Sequence, residues 1–329
     1  MRELTKNILL LFIVLLVGFV VLEIIVRVFW NEPGYAYPPE LFIPDNNTGY
    51  KYAPNFVGSF VSTSYGNVPI VINSKGLRDR EYTYEKPKGV TRIVALGDSV
   101  SFGAGVPMEK TYWWLYEENS SIEVVNGGVN GYEFDQEVAW YKKEGYKYDP
   151  DVVVVSVVLN DPRPVNASLL MEQKFGTQPR STVLQQEASK VCKTCKFVYR
   201  TYDSWRTTHG RSYNDIYFEQ IYALWQGDAW TRYEKEVLDL NKELKKDHKK
   251  LVLVVFPYTQ QFVNAENVGR TPQEQLQSLK AKGITVIDMQ PYLDVPNYQR
   301  YYLLGDNLHL SEEGNAVVAD ALYKELEVR

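Results

Sequence analysis

The amino-acid sequence predicts an α/β fold of three layers, with helices on both faces of a central parallel sheet of about five strands, preceded by one helix able to span a membrane. Three observations predict it. Short apolar, β-branched runs recur at 92–96, 122–126, 151–159, 251–256 and 284–288 ("RIVAL", "IEVVN", "DVVVVSVVL", "LVLVVF", "ITVID"). Runs without polar alternation suit strands covered on both faces, which is the condition of a parallel sheet. Helix-like stretches separate these runs, so strand and helix alternate as βαβ units require. The third observation is an uninterrupted apolar run near the start of the chain, Ile8 to Leu22.

In chain order, residues 1–7 carry Arg2 and Lys6 and read as a cytoplasmic N-terminus. Residues 8–30 read as the membrane anchor. A helix rising about 1.5 Å per residue over this length crosses a hydrocarbon core of ~30 Å. A cleaved signal peptide has a shorter apolar region followed by a small-residue site, and "NEPGYAYPPE" offers none. Glu23 and Arg27 interrupt the run four residues apart, on one helical face, where they can pair. Basic residues precede the run while Glu32 and Glu40 follow it, so the body is expected outside the cytoplasm.

Residues 31–90 form a lead-in rich in loops and turns. "FVGSFVSTSYGNVPIVIN" alternates apolar and polar residues around a Tyr-Gly-Asn turn and predicts a hairpin. Residues 91–329 form the main domain. Its helices are expected at "EKTYWWLYEENS", "EFDQEVAWYKKEG", around 229–248, at "TPQEQLQSLKAKG" and at "SEEGNAVVADALYKELE". Residues 160–250 read as a helical insertion rich in Tyr and Trp, which either shapes an acyl or sugar site or, the favoured reading, forms a helical cover with a buried aromatic core. Cys192 and Cys195, in "CKTC", are too few for a tetrahedral zinc site, and in an exported body they predict a local disulfide. Asn46, Asn119 and Asn166 stand in glycosylation sequons, which matter only in a glycosylating host.

Of the 329 residues 45% are apolar and 23% charged, with a net charge of −5. That balance buries a core and argues against a nucleic-acid partner, which calls for a basic patch. The 25 Tyr and 7 Trp suit carbohydrate stacking or a membrane interface, and equally a plain core.

In a doubly wound sheet, ligands bind beyond the carboxyl ends of the strands, so the polar residues found there are the candidates. The first run is followed by "GDSVSFG", the second by "NGGVNGY", the third by "ND" (Asn160-Asp161), and the fifth, further on, by "GDNLH". A serine hydroxyl needs a base beside it to act as a nucleophile. His248 lies in a charged helix end, "KKDHKK", and His209 in a loop of the insertion, "TTHGRS". His309 follows Asp306 by three positions, a spacing at which one turn brings the carboxylate to the imidazole. Ser311 is a plausible cap of the last helix. Gly131 and Asn160 close their strand–loop connections and fit as oxyanion donors, one through its backbone and one through its amide. Asp98 is expected to hold the loop around Ser99 rather than to react. No G-x-S-x-G, G-x-G-x-x-G or H-E-x-x-H occurs, so neither a cofactor nor a metal is expected.

Taken in order, "GDSVSFG", "NGGVNGY", "VVLND" and "DNLH" resemble the four blocks of the SGNH, or GDSL-type, hydrolase family. Val158 stands where the family often has a glycine in its third block, which leaves the Asn160 amide in place. The resemblance covers residues 90–329, and "INSKGLRDREYTYEKPKGVTRIVALGDS" is similar to the lead-in of membrane-anchored members. It implies a flavodoxin-like three-layer fold and a triad of Ser99, His309 and Asp306. It also implies an oxyanion hole from Ser99, Gly131 and Asn160, acting on an ester of a lipid or of an acylated carbohydrate. An acyltransferase using the same triad and a non-catalytic binding protein are the competing expectations.

Overall fold

The computed structural model describes residues 2–30, 35–62, 64–166, 192–198, 201–202, 213–263 and 270–326. Part of the expected insertion, with His209, lies outside the described residues. The chain divides into two compact units, Met1–Glu32 with Thr177–Tyr217, and Pro33–Gly176 with Phe218–Arg329.

In the first unit, Arg2–Phe29 form a single helix. Among the described residues, its span Glu3–Phe29 alone is long and apolar enough to cross a membrane. Glu23, a charged group on this apolar rod, is fully engaged. Arg27 Nη2 lies 2.8 Å from Glu23 Oε1, as the four-residue spacing predicts. The Glu23 carboxylate also accepts from the backbone N–H groups of Lys193 and Thr194 at 2.9 and 2.8 Å. These are first-turn donors of the short helix at 193–198, which have no acceptor within their own helix. Cys192 and Cys195 form the expected disulfide at its start.

The second unit begins with small antiparallel pieces. Strands β1 (Tyr35–Ala36), β4 (Val57–Ser62) and β5 (Gly66–Val71) form one sheet in the order β1-β4-β5, and β2 (Phe42–Asp45) pairs with β3 (Gly49–Tyr52). β4 and β5 run from Val57 opposite Val71 to Ser62 opposite Gly66, which is the predicted hairpin. The main sheet contains β6 (Thr91–Gly97), β7 (Ile122–Asn126), β8 (Val152–Val157), β9 (Lys250–Val255) and β10 (Thr285–Asp288). Its order is β10-β9-β8-β6-β7 and every pairing is parallel. Counted within the sheet this is 2-1-3-4-5, the flavodoxin-like winding. The chain leaves β6 toward one side, to β7, and then crosses to the other side, to β8. The crevice this leaves lies beyond the carboxyl ends of β6 and β8.

One face of the sheet packs Ile93, Ala95, Val154, Val252 and Ile287 with Trp113 and Tyr116 of the helix Tyr112–Glu118 and Val318 and Leu322 of the helix Glu312–Glu325. The helices Phe134–Lys143 and Gly227–Lys246 cover the other face, where the Phe134 and Tyr233 rings meet at 4.9 Å. The third apolar run extends past its strand for a local reason. Val158 and Leu159 are buried but sit in a turn, closed by Asp161 N–H to Val158 O at 3.2 Å and by Val158 N–H to Asp161 Oδ2 at 3.2 Å.

Two buried arginines fasten the lead-in to the sheet at opposite ends. Arg92, at the amino end of β6, binds Glu123 through Nε at 2.8 Å and donates from Nη1 to the carbonyls of Thr83, Tyr84 and Tyr148. Arg78, at the carboxyl end, donates to the carbonyls of Phe102, Gly103 and Val106 at 3.0, 2.9 and 2.8 Å and lies 4.7 Å above the Phe102 ring. Arg78→Met keeps the stem but leaves three carbonyls without this donor. Unsatisfied buried groups cost about 1–3 kcal/mol each, so urea denaturation is expected to show a stability loss of about 3 kcal/mol or more. An unchanged midpoint would show that the lead-in is not held this way.

Candidate active site

The site starts at the end of β6. Gly97 permits a close approach: a Cβ there would stand 2.7 Å from Ser101 Cβ and 3.0 Å from Ser156 Cβ on the neighbouring strand. Asp98 caps the short helix Ser99–Phe102, its Oδ1 accepting from Val100 N–H at 2.8 Å. That is the holding role expected of it. Burial pushes the Asp98 carboxyl above its ordinary range. Ser99 is thereby the first residue of a helical turn, where its N–H has no acceptor within the helix.

The Ser99 hydroxyl meets a residue 210 positions away: its Oγ lies 2.7 Å from His309 Nε2, and only 3.3 Å from Asp98 Oδ2. His309 stands in a loop whose shape is set by Asp306. Asp306 Oδ1 accepts from the N–H groups of Leu308 and His309 at 2.8 and 2.9 Å, and Oδ2 lies 2.8 Å from His309 Nδ1. Burial disfavours the charge of Asp306, but the hydrogen bonds and the charge of His309 outweigh it and hold this carboxyl below its ordinary value. An ionised Asp306 fixes the proton on Nδ1 and leaves Nε2 as the acceptor facing Ser99. The loop is anchored by Leu303 N–H to His309 O at 2.8 Å and by Ser311, which caps the last helix through Gly314 N–H at 3.1 Å.

The second loop, after β7, is bonded to β6: Gly127 N–H donates to Ala95 O at 2.8 Å and Val129 N–H to Gly97 O at 3.1 Å. The lead-in clamps its tip. Tyr50 OH donates to Asn130 O at 2.9 Å, and Asn130 N–H donates to Tyr52 OH at 2.8 Å. Gly131 follows with φ +75°, a left-handed conformation that side chains disfavour, and a Cβ there would come within 2.9 Å of Tyr50 OH. The clamp by Tyr50 and Tyr52 is not legible in sequence, because nothing in "GYKY" marks a contact some 80 residues ahead.

Asn160, in the turn after β8, is bound on both sides of its amide. Nδ2 donates to Glu133 Oε2 at 2.8 Å, and Oδ1 accepts from Tyr258 OH at 2.7 Å. Glu133 caps the helix Phe134–Lys143, and its other oxygen lies 3.3 Å from Arg163 Nη1. Burial pushes the Glu133 carboxyl up to about 8, against the opposing charge of Arg163 and the hydrogen bond from Asn160. Neither Glu133 nor Tyr258 was marked by the sequence. His248 ends the turn after the helix Gly227–Lys246, with its N–H on Lys245 O at 3.2 Å. Among the described residues no group of three or more His, Cys, Asp or Glu could hold a metal ion.

No family model and no curated protein matches this sequence. Solved structures do. The chain is similar to the lipase/acylhydrolase from Enterococcus faecalis, at 14% identity over 72% of this chain and 95% of that one, with a TM-score of 0.41. It is similar to a member of the lipolytic G-D-S-L family from Veillonella parvula DSM 2008, at 13% identity over 71% of this chain and 97% of that one, TM-score 0.39. It is also similar to the acetyl xylan esterase AlAXEase, at 17% identity over 71% of this chain and 98% of that one, TM-score 0.39.

The elevated Glu133 carboxyl has a consequence for stability. An unfolded Glu titrates near ~4.3, whereas Glu133 in the folded protein titrates at about 8. Between these values the folded state holds a proton that the unfolded state lacks, so this contribution is complete in acid and is lost as the pH rises through about 8. Glu133→Gln has no such proton to lose. Its melting temperature is therefore expected to fall less than that of the unaltered protein between about pH 5 and pH 8.5. Parallel curves would contradict the shift.

Proposed function

We propose that this chain is a serine ester hydrolase of the SGNH type, held at a membrane by its N-terminal helix with the body on the extracytoplasmic side. The observation that carries the reading is the continuous chain Ser99 Oγ–His309 Nε2–His309 Nδ1–Asp306 Oδ2, with links of 2.7 and 2.8 Å. A hydroxyl, an imidazole and an ionised carboxylate in that order form an activated nucleophile. The substrate class is an ester of a lipid or of an O-acylated carbohydrate.

In the first step Ser99 Oγ attacks the ester carbonyl carbon as its proton passes to His309 Nε2. Asp306 stabilises the imidazolium that forms. The carbonyl oxygen becomes an oxyanion, met by the N–H of Ser99, the N–H of Gly131 and the Nδ2 amide of Asn160. The tetrahedral intermediate collapses, the bond to the alcohol oxygen breaks, and His309 gives its proton to that oxygen. Water repeats the sequence on the acyl-enzyme: His309 takes its proton, the acid is released, and the proton returns to Ser99. Each oxyanion donor contributes about 10²–10³ in rate in comparable sites.

The test is hydrolysis of p-nitrophenyl acetate, butyrate and octanoate by the full chain in detergent. Ser99→Ala and His309→Ala are each expected to lower kcat by about 10⁴-fold or more. Chain-length preference then separates a short acyl group on a carbohydrate from a fatty acyl group. Equal turnover by Ser99→Ala and the unaltered protein would remove the reading.

A further inference from the structure

An oxyanion donor is useful only if it faces the right way. The side-chain amide of asparagine is nearly symmetric in shape, and rotation by half a turn exchanges its donor for its acceptor. A rotated Asn160 would present a carbonyl oxygen where a negative charge develops. The backbone of Asn160 is pinned by the turn at 158–161, by Arg163 N–H on Asn160 O at 2.9 Å and by Trp225 Nε1 on Leu159 O at 2.7 Å. None of these bonds touches the amide itself.

We infer that Glu133 and Tyr258 are positioning residues, which lock the Asn160 amide so that its Nδ2 faces the oxyanion. Resting on the serine-hydrolase reading, the inference assigns a task to two residues that the triad chemistry leaves unused. Glu133 Oε2 takes one Nδ2 hydrogen at 2.8 Å and leaves the second for the substrate oxygen. Tyr258 OH donates to Oδ1 at 2.7 Å, so both halves of the amide have a partner of matching polarity. Reversal would break both bonds as they stand, since Oδ1 would face the Glu133 oxygen that now accepts and Nδ2 the Tyr258 hydroxyl that now donates.

The lock is itself rigid. Glu133 is 6% exposed and caps a helix, while its second oxygen is held by Arg163. Tyr258 is 3% exposed, its ring packs edge-on to Phe218 at 5.4 Å, and its N–H donates to Gln261 Oε1 at 3.2 Å. The lock draws on the start of one helix and the loop after β9, on either side of the turn that carries Asn160. A glutamine at position 133 would keep a carbonyl acceptor for Nδ2 and has no proton to titrate, so it separates the hydrogen bond from the ionisable group.

The experiment is the rate at which Ser99 reacts with a fluorophosphonate, whose phosphoryl oxygen gathers negative charge in the same hole, measured on the full chain by mass spectrometry. Glu133→Leu and Tyr258→Phe are expected to slow labelling, by about 10–100-fold and about 3–10-fold respectively. Glu133→Gln is expected to stay within about threefold of the unaltered protein. In an Asn160→Ala background both substitutions are expected to have no further effect, which a merely structural role would not produce. Should Glu133→Leu fail to accumulate, Tyr258→Phe with and without Asn160→Ala carries the test. Unchanged labelling in these variants, or the same slowing without Asn160, would overturn the inference while leaving the hydrolase reading intact. A Ser99 that never labels in the unaltered protein would overturn the hydrolase reading and the inference with it.

Discussion

The structure depends on one constraint: β6 and β8 run parallel and side by side, with Gly97 opposite Ser156, so their carboxyl ends open onto the same crevice. The nucleophile and the proposed oxyanion donors stand at that edge. Ser99 follows β6, the loop ending in Gly131 is bonded back to β6, and Asn160 follows β8. The crevice is a consequence of winding, since the chain leaves β6 in one direction and returns in the other. A buried, apolar sheet makes this edge stiff, and a stiff edge is what a site of sub-ångström geometry requires.

Around that edge the polar groups are arranged by short local devices. Asp98 caps the turn that starts with Ser99. Asp306 shapes its own loop through two backbone N–H groups and only then reaches His309, so one carboxylate both builds the loop and orients the imidazole. The lead-in supplies what the sheet lacks: Arg78 holds the carbonyls just beyond Ser99, and Tyr50 and Tyr52 hold Asn130 beside Gly131. In this unit the hairpin-rich piece before the sheet is part of the support of the site.

Much of this was legible in sequence. The five apolar runs gave strands to within one or two residues because burial on both faces leaves a continuous signal, and Val158 and Leu159 misled only because a turn is buried there. Ser99, Gly131, Asn160, Asp306 and His309 stood out because each follows a strand or falls at a telling spacing. Glu133 and Tyr258 gave no such sign. Their partner, Asn160, lies 27 and 98 residues away, and contacts of that kind are set by how the elements pack. Tyr50 and Tyr52 were hidden for the same reason, as was the pairing of Glu23 with the turn at Lys193 and Thr194.

The measurement closest to the centre of this account is the protonation pattern of the His309 ring at neutral pH, read by NMR on protein with ¹⁵N-labelled histidines. The chain has three histidines, and His309→Gln assigns the signals. The expected result is a ring whose Nδ1 carries a proton bound to Asp306 while Nε2 accepts from Ser99, with this preference lost in Asp306→Ala. A ring protonated on Nε2, or one indifferent to Asp306, would contradict a serine primed by this histidine.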